Sequence, residues 1–171
     1  MIATRDAFGN QLMKSAKNND KIIVLSADLS KATKTHNFSK EYPERFFEIG
    51  IAESNMIGIG SGLSEYGFKV VMTSFASFLT GKYDVIRVSL AYSNAPVILV
   101  GTHAGLAIGK DGVTQMGLED ISLMRSLPNM QVMQPATAIE TEKMLEHLLD
   151  SNLVGPTYLR LGTAIFGNRN I

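Results

Sequence analysis

Pro96-Val97-Ile98-Leu99-Val100-Gly101 is an apolar run closed by a proline and a glycine, with no polar residue inside it. A strand of that composition has no side suited to water, so it belongs inside a parallel sheet covered on both faces. Working outward, Lys21-Ile22-Ile23-Val24-Leu25-Ser26 reads as a second buried strand and Phe68 to Met72 as a third. Phe46-Phe47-Glu48-Ile49, Gln131-Val132-Met133 and Thr157-Tyr158-Leu159 are shorter strand candidates. Helical spacing fills the intervals. Thr4 is placed to cap a helix carrying Phe8, Leu12, Met13 and Ala16 on one side. A helix from Ala52 to Tyr66 has Ala52, Met56, Ile59 and Leu63 on one face, and a mostly apolar one runs from Gly81 to Asn94. Another covers Glu119–Ser126, and the helix after Pro135 turns Ala138, Thr141, Leu145 and Leu148 inward. The alternation predicts an α/β fold, a mostly parallel sheet with helices on both faces.

Bulk properties narrow the function. The 171 residues suit one domain, expected over 1–165 with residues 166–171 as a flexible tail. A chain 45% hydrophobic and 19% charged can bury a sizeable core. Sixteen acids balance sixteen bases, so nothing marks a nucleic-acid or anionic-membrane surface. The absence of cysteine excludes a disulfide framework and thiolate metal ligation. Met1-Ile2-Ala3-Thr4-Arg5-Asp6 has no signal-peptide pattern, and no apolar run approaches the roughly 20 residues that span a bilayer. A cytoplasmic location is the expectation.

Open parallel sheets carry their sites beyond the carboxyl ends of the strands, which here directs attention to the loops after Leu25, Ile49, Met72 and Val100. Gly50-Ile51-Ala52-Glu53-Ser54-Asn55-Met56 sets a carboxylate where a strand gives way to a helix, among apolar flanks that favour holding or sharing a proton. A glutamate favoured by the helix dipole is the competing account. Thr73-Ser74-Phe75-Ala76-Ser77-Phe78 puts two aromatics just beyond a strand. Gly101-Thr102-His103-Ala104-Gly105, with Gly109-Lys110-Asp111-Gly112-Val113-Thr114-Gln115 behind it, is a glycine-rich loop bearing a histidine and an aspartate. Ser26-Ala27-Asp28-Leu29-Ser30 follows the first strand. Two tempting patterns fail. Gly58, Gly60 and Gly62 lie inside a helix and lack dinucleotide-fingerprint spacing, so close helix packing explains them better; Gly105 to Asp111 lacks the residues of a phosphate-binding P-loop. His36, His103 and His147 show no metal-ligand spacing.

In this order and spacing, the segments resemble the pyrimidine-binding domain of transketolases and of the related deoxyxylulose-phosphate synthases. The likeness runs from Thr4 to Gly162 and is strongest over Arg45 to Gly67 and His103 to Asn129, with Leu118-Glu119-Asp120-Ile121, Leu123-Met124-Arg125 and Leu127-Pro128-Asn129. The resemblance implies an enzyme that uses thiamine diphosphate to carry a two-carbon ketol unit between sugars or sugar phosphates. It assigns Glu53 to share a proton with the pyrimidine N1′, Phe78 to stack on the ring and Phe75 to wall it. Asp28 and Leu29 match positions near the cofactor and the subunit contact, and His103 and Asp111 match residues that approach substrate hydroxyls, His103 being expected to act with Glu53 as a catalytic residue.

Two departures stand out. Gln115 occupies a place where a second histidine is usual, and it cannot transfer a proton at neutral pH; Thr163 follows Arg160-Leu161-Gly162 where the family has a phosphate-binding arginine. The diphosphate- and metal-binding domain and the family's C-terminal domain are absent from the sequence. A separate subunit is therefore expected to supply the diphosphate site with its Mg2+ or Ca2+, in a homodimer or mixed oligomer. A non-catalytic binding or regulatory module, and a fragment of a longer transketolase or synthase, are the competing readings.

Overall fold

The computed structural model describes residues 2–164; residues 165–171, which include the expected tail, lie outside the described residues. Its strands are β1 (Ile22–Ser26), β2 (Phe46–Glu48), β3 (Lys69–Phe75), β4 (Val97–Thr102), β5 (Gln131–Met133) and β6 (Thr157–Arg160). All pair in parallel, in the order β2-β1-β3-β4-β6-β5. The helices are α1 (Thr4–Asn18), α2 (His36–Glu41), α3 (Glu53–Glu65), α4 (Ala76–Thr80), α5 (Tyr83–Ile86), α6 (Asp120–Arg125) and α7 (Ala138–Asp150).

Strand alternation divides the core into two layers, because successive side chains point to opposite faces. Ile23, Leu25, Val70, Met72, Val97, Leu99 and Tyr158 meet Met56 and Ile57 of α3, Ile86 of α5 and Met124 of α6. On the other face, Ile22, Val24, Val71, Ile98, Val100 and Leu159 meet Phe8 and Leu12 of α1, Phe38 of α2, and Leu145 and Leu148 of α7. The expected parallel α/β fold with helices on both faces is therefore what the chain adopts.

Details differ from the sequence-based expectations. Thr4 is the first helical residue rather than the cap; its hydroxyl accepts from Gly162 N–H at 2.9 Å and pairs with Gly162 O at 3.2 Å, tying α1 to the end of β6. The buried stripe of α3 is Glu53, Met56, Ile57, Gly60 and Ser64, which leaves Ile59 36% exposed. The stripe is offset because Gly60 fits against Met72, whose sulfur would lie 2.2 Å from an added Cβ. Strand β3 continues to Phe75, so that aromatic ends the strand instead of following it. The expected helix from Gly81 to Asn94 begins at Tyr83 and widens to π geometry over Arg87–Tyr92. Carbonyls of this wide turn find outside donors: Ser61 Oγ bonds Ser89 O at 2.7 Å and Asn129 Nδ2 bonds Ala91 O at 3.1 Å.

Gly101 is where the sheet tolerates least. A Cβ there would sit 2.1 Å from the Tyr158 hydroxyl and 2.7 Å from its ring, and that ring is fully buried. Gly101→Ala is expected to cost roughly 1–3 kcal/mol, the usual penalty for overpacking a rigid core. Chemical denaturation of the purified chain measures this; an unchanged midpoint would show that Tyr158 can move aside.

Candidate active site

Parallel pairing brings the ends of β1, β2, β3 and β4 to one edge, and the segments leaving the first three form a pocket of about 470 Å3. Asp28 and Leu29 come from the loop after β1, Ile51 and Glu53 from the β2–α3 junction, and Phe78 from α4. Its volume lies within the roughly 300–1,000 Å3 of small-molecule sites. Glu53 opens α3 and is 7% exposed. Its Oε1 accepts from Ser74 Oγ at 3.0 Å, a donor delivered by β3. Oε2 has no hydrogen-bond partner among the described residues, and the side chain lines the pocket. The carboxylate therefore has one oxygen committed to the protein and one available to a ligand. An aminopyrimidine fits these residues: a carboxylate for a ring nitrogen, the Phe78 ring for stacking, and Ala27, Leu29 and Ile51 for apolar contact.

Phe75 stands behind this wall rather than in it. Its ring stacks on Phe78 with centroids 5.2 Å apart at 17°, and lies 3.8 Å from the His103 ring. His103 is 5% exposed and sits in the left-handed region at φ 57°. Arg5 Nη1 lies 2.7 Å from His103 Nε2, and Thr102 Oγ1 lies 2.9 Å from Nδ1. A guanidinium only donates, so Nε2 accepts and Nδ1 carries the hydrogen. Burial first, then the Arg5 charge, pushes the His103 pKa down from 6.5 to about 4; Asp111 opposes the shift and Lys34 adds to it. Thr102 Oγ1 also reaches Ser74 O at 3.4 Å, so Ser74 touches the Glu53 side through its hydroxyl and the His103 side through its carbonyl.

The loop after β4 carries the remaining candidates. Asp111 ends a 3-10 turn over Gly109–Asp111 and is exposed, while Gln115 ends a second turn over Val113–Gln115 and is half-buried. Neither lines the pocket with Glu53. The base of this loop is pinned by a network that sequence reasoning did not assign. Asp120, fully buried, accepts from Tyr158 OH at 2.9 Å and from Arg160 Nε at 2.8 Å through Oδ2, while Oδ1 is unpartnered. Arg160 Nη2 continues to Gly117 O at 3.2 Å, and Gly117 O also accepts from Gly105 N–H at 2.8 Å. Burial, then the Asp120 charge and hydrogen bond, raises the Tyr158 pKa well above its usual value. Arg5 was missed as well, since nothing in Thr4-Arg5-Asp6 indicates that α1 approaches His103. No group of three or more His, Cys, Asp or Glu among the described residues is placed to hold a metal ion.

Comparison with known proteins identifies the architecture. Residues 1–166 match the family of transketolase pyrimidine-binding domains. A Methanocaldococcus jannaschii protein described as a transketolase C-terminal section is 40% identical over 158 residues, covering 92% of this chain and 49% of that one. Human transketolase is 40% identical over 173 residues, covering 99% of this chain and 27% of the enzyme. A split-gene transketolase solved as an inactive β4 tetramer superposes with a TM-score of 0.85 at 43% identity, over 98% of this chain and 53% of that one. The chain thus spans between about a quarter and a half of the length of these relatives. By sequence and by structure, it belongs to the transketolase family, as a pyrimidine-binding domain.

Proposed function

We propose that this chain forms the aminopyrimidine half of a thiamine-diphosphate site in a transketolase-type enzyme. A separate chain bearing the diphosphate- and metal-binding domain completes the site in this reading. The observation that carries it is Glu53: buried at the start of α3, bonded through one oxygen to Ser74, and facing the pocket beside Phe78. Ser74 O–H holds Oε1, which leaves Oε2 to share a proton with the ring nitrogen. Phe78 offers its face to the ring, Phe75 backs Phe78, and Asp28 and Leu29 close the side contributed by β1. When bound, thiamine diphosphate supplies the carbon nucleophile that moves a two-carbon ketol unit from one sugar to another.

On the substrate side, Asp111 and Gln115 offer hydrogen-bonding groups for sugar hydroxyls, while His103, neutral at pH 7, would have to give up its bond to Arg5 or Thr102 to join them. Thr163 cannot bind an anion as an arginine does, but α1 passes beside that position, the backbone N–H of Arg5 donating to Gly162 O at 3.4 Å, and the Arg5 guanidinium lies at His103. A sugar carrying an anionic group would meet its cation on α1 rather than after β6.

The exposed side of α3 supports the partner chain. Ile51, in the turn before α3, is 85% exposed, and Cβ atoms added at Gly58 and Gly62 within the helix would meet nothing within 4 Å. Val88 and Tyr92, on the neighbouring π turn, are 56% and 84% exposed. Two mid-helix glycines at about 1 kcal/mol each, with no internal crowding to require them, fit a helix whose backbone is closely approached from outside.

Three tests follow from the site. In the enzyme reconstituted with its partner, Glu53→Gln should abolish hydrogen–deuterium exchange at the thiamine C2 while circular dichroism stays unchanged. Undiminished exchange would remove Glu53 from the mechanism. Gly62→Ala should raise the melting temperature of the isolated chain, by about 0.5–1 kcal/mol of stability, yet weaken assembly with the partner and cofactor binding together. A gain in both stability and assembly would show that this face is free. For His103, the folded pKa is depressed, so the unfolded chain binds more protons between about 4 and 6.5. The stability that neutral His103 contributes is complete above pH 6.5 and declines as pH falls towards 4. Subtracting the pH-stability curve of His103→Gln from that of the wild type isolates the effect; a flat difference would mean that the ring is as easily charged in the fold as in the open chain.

A further inference from the structure

Two loops that wall the pocket are joined by a side chain that does not enter it. The ladder between β1 and β2 ends where Ile49 N–H donates to Ser26 O at 2.9 Å. Past that point Asp28 turns into the left-handed region, at φ 60°, and its N–H donates to Glu48 Oε1 at 2.6 Å. The same oxygen accepts from Gly50 N–H at 3.4 Å, and Gly50 is itself left-handed at φ 81°. One carboxylate oxygen thus ties the turn at Asp28 to the turn at Gly50. On either side of those turns, Ala27, Asp28, Leu29 and Ile51 all line the pocket, whereas Glu48 does not.

A glutamate ending an exposed edge strand would ordinarily be a solvated charge. The 2.6 Å contact to another loop's backbone argues otherwise, since ionised acceptors make short, strong bonds to amides. A non-glycine residue held at positive φ also needs surroundings that keep it there. We infer that Glu48 is a positioning residue for the cofactor pocket: its carboxylate sets the shape of the wall facing the aminopyrimidine ring and raises cofactor affinity without touching the cofactor. The inference rests on the reading of this pocket as the thiamine-diphosphate site.

Glu48→Ala and Glu48→Gln separate the possibilities, because both amides use the same oxygen and glutamine retains an oxygen acceptor there. In the isolated chain, followed by NMR amide exchange, Glu48→Ala should speed exchange at Asp28 and Gly50 by roughly tenfold or more. Ile98, Leu99 and Val100 should keep their rates, and Glu48→Gln should restore most of the protection. In the reconstituted enzyme, Glu48→Ala should raise the KM for thiamine diphosphate by roughly tenfold with kcat at saturating cofactor nearly unchanged, and Glu48→Gln should recover most of the affinity. Unaltered exchange at both amides in Glu48→Ala overturns the clamp. An altered exchange with an unaltered cofactor KM overturns its role in affinity. If the reconstituted wild type shows no dependence on thiamine diphosphate, the cofactor reading fails, and with it Glu48's role in cofactor affinity, while the exchange measurement still judges the clamp.

Discussion

Ser26 of β1 stands in register with Glu48 of β2 and Thr73 of β3, and Thr73 with Val100 of β4. Because every pairing is parallel, these residues are also where the four strands hand over to their loops, within a residue or two. Each functional element inherits its place from that alignment. Glu53 follows β2 by a short turn, Ser74 lies one residue beyond Thr73, and His103 comes directly after β4. The contact between Ser74 and Glu53 is thus a consequence of register: a shift of one residue in β3 would send the hydroxyl to the opposite face.

The glycines divide by what requires them. Gly60 and Gly101 are dictated from within, by Met72 and by the Tyr158 ring, and Gly117 by Ala76, whose Cβ would lie 2.6 Å from an added one. Gly50, Gly105, Gly109 and Gly112 adopt positive φ, where a side chain would be strained. Gly58 and Gly62 have neither reason: they are helical, open and destabilising within the isolated domain. The three glycines of the G-x-G-x-G run therefore have different causes. Only the middle one packs against the core of its own chain, so within this chain close packing accounts for Gly60.

Much of this was legible in the sequence, and the exceptions have physical causes. Strands β1 and β4 were recognisable because runs buried on both faces are largely apolar, and β3 through its apolar centre Val70-Val71-Met72. Asp28, Leu29, Glu53 and Phe78 were legible as a group, through strand-end position and through resemblance, and they share one pocket. The turn of α3 was misjudged because Ile57 and Ile59 are equally apolar; burial was settled by the notch at Gly60, a tertiary fit without a local pattern. Arg5 could not be seen, since its contact with His103 spans 98 residues and depends on how α1 lies over the sheet. Asp120 was quoted within a recognisable run, but its bonds to Tyr158 and Arg160 form only once β6 lies beside β4.

The two halves of the site differ in how protons can be handled, and Ser74 stands between them. On one side the carboxylate of Glu53 keeps a free oxygen, the arrangement needed to share a proton with a basic ring nitrogen. On the other, His103 is held neutral by burial and by Arg5, with its accepting nitrogen occupied, and Gln115 cannot ionise at all. A histidine whose pKa is near 4, and whose two nitrogens are already bonded to Arg5 and Thr102, is a poor proton acceptor at pH 7. If the proposed reaction runs here, neither His103 nor Gln115 is the group that moves a substrate proton. Arg5, reaching from α1 across the sheet edge, keeps His103 in a single tautomer with its hydrogen on Nδ1.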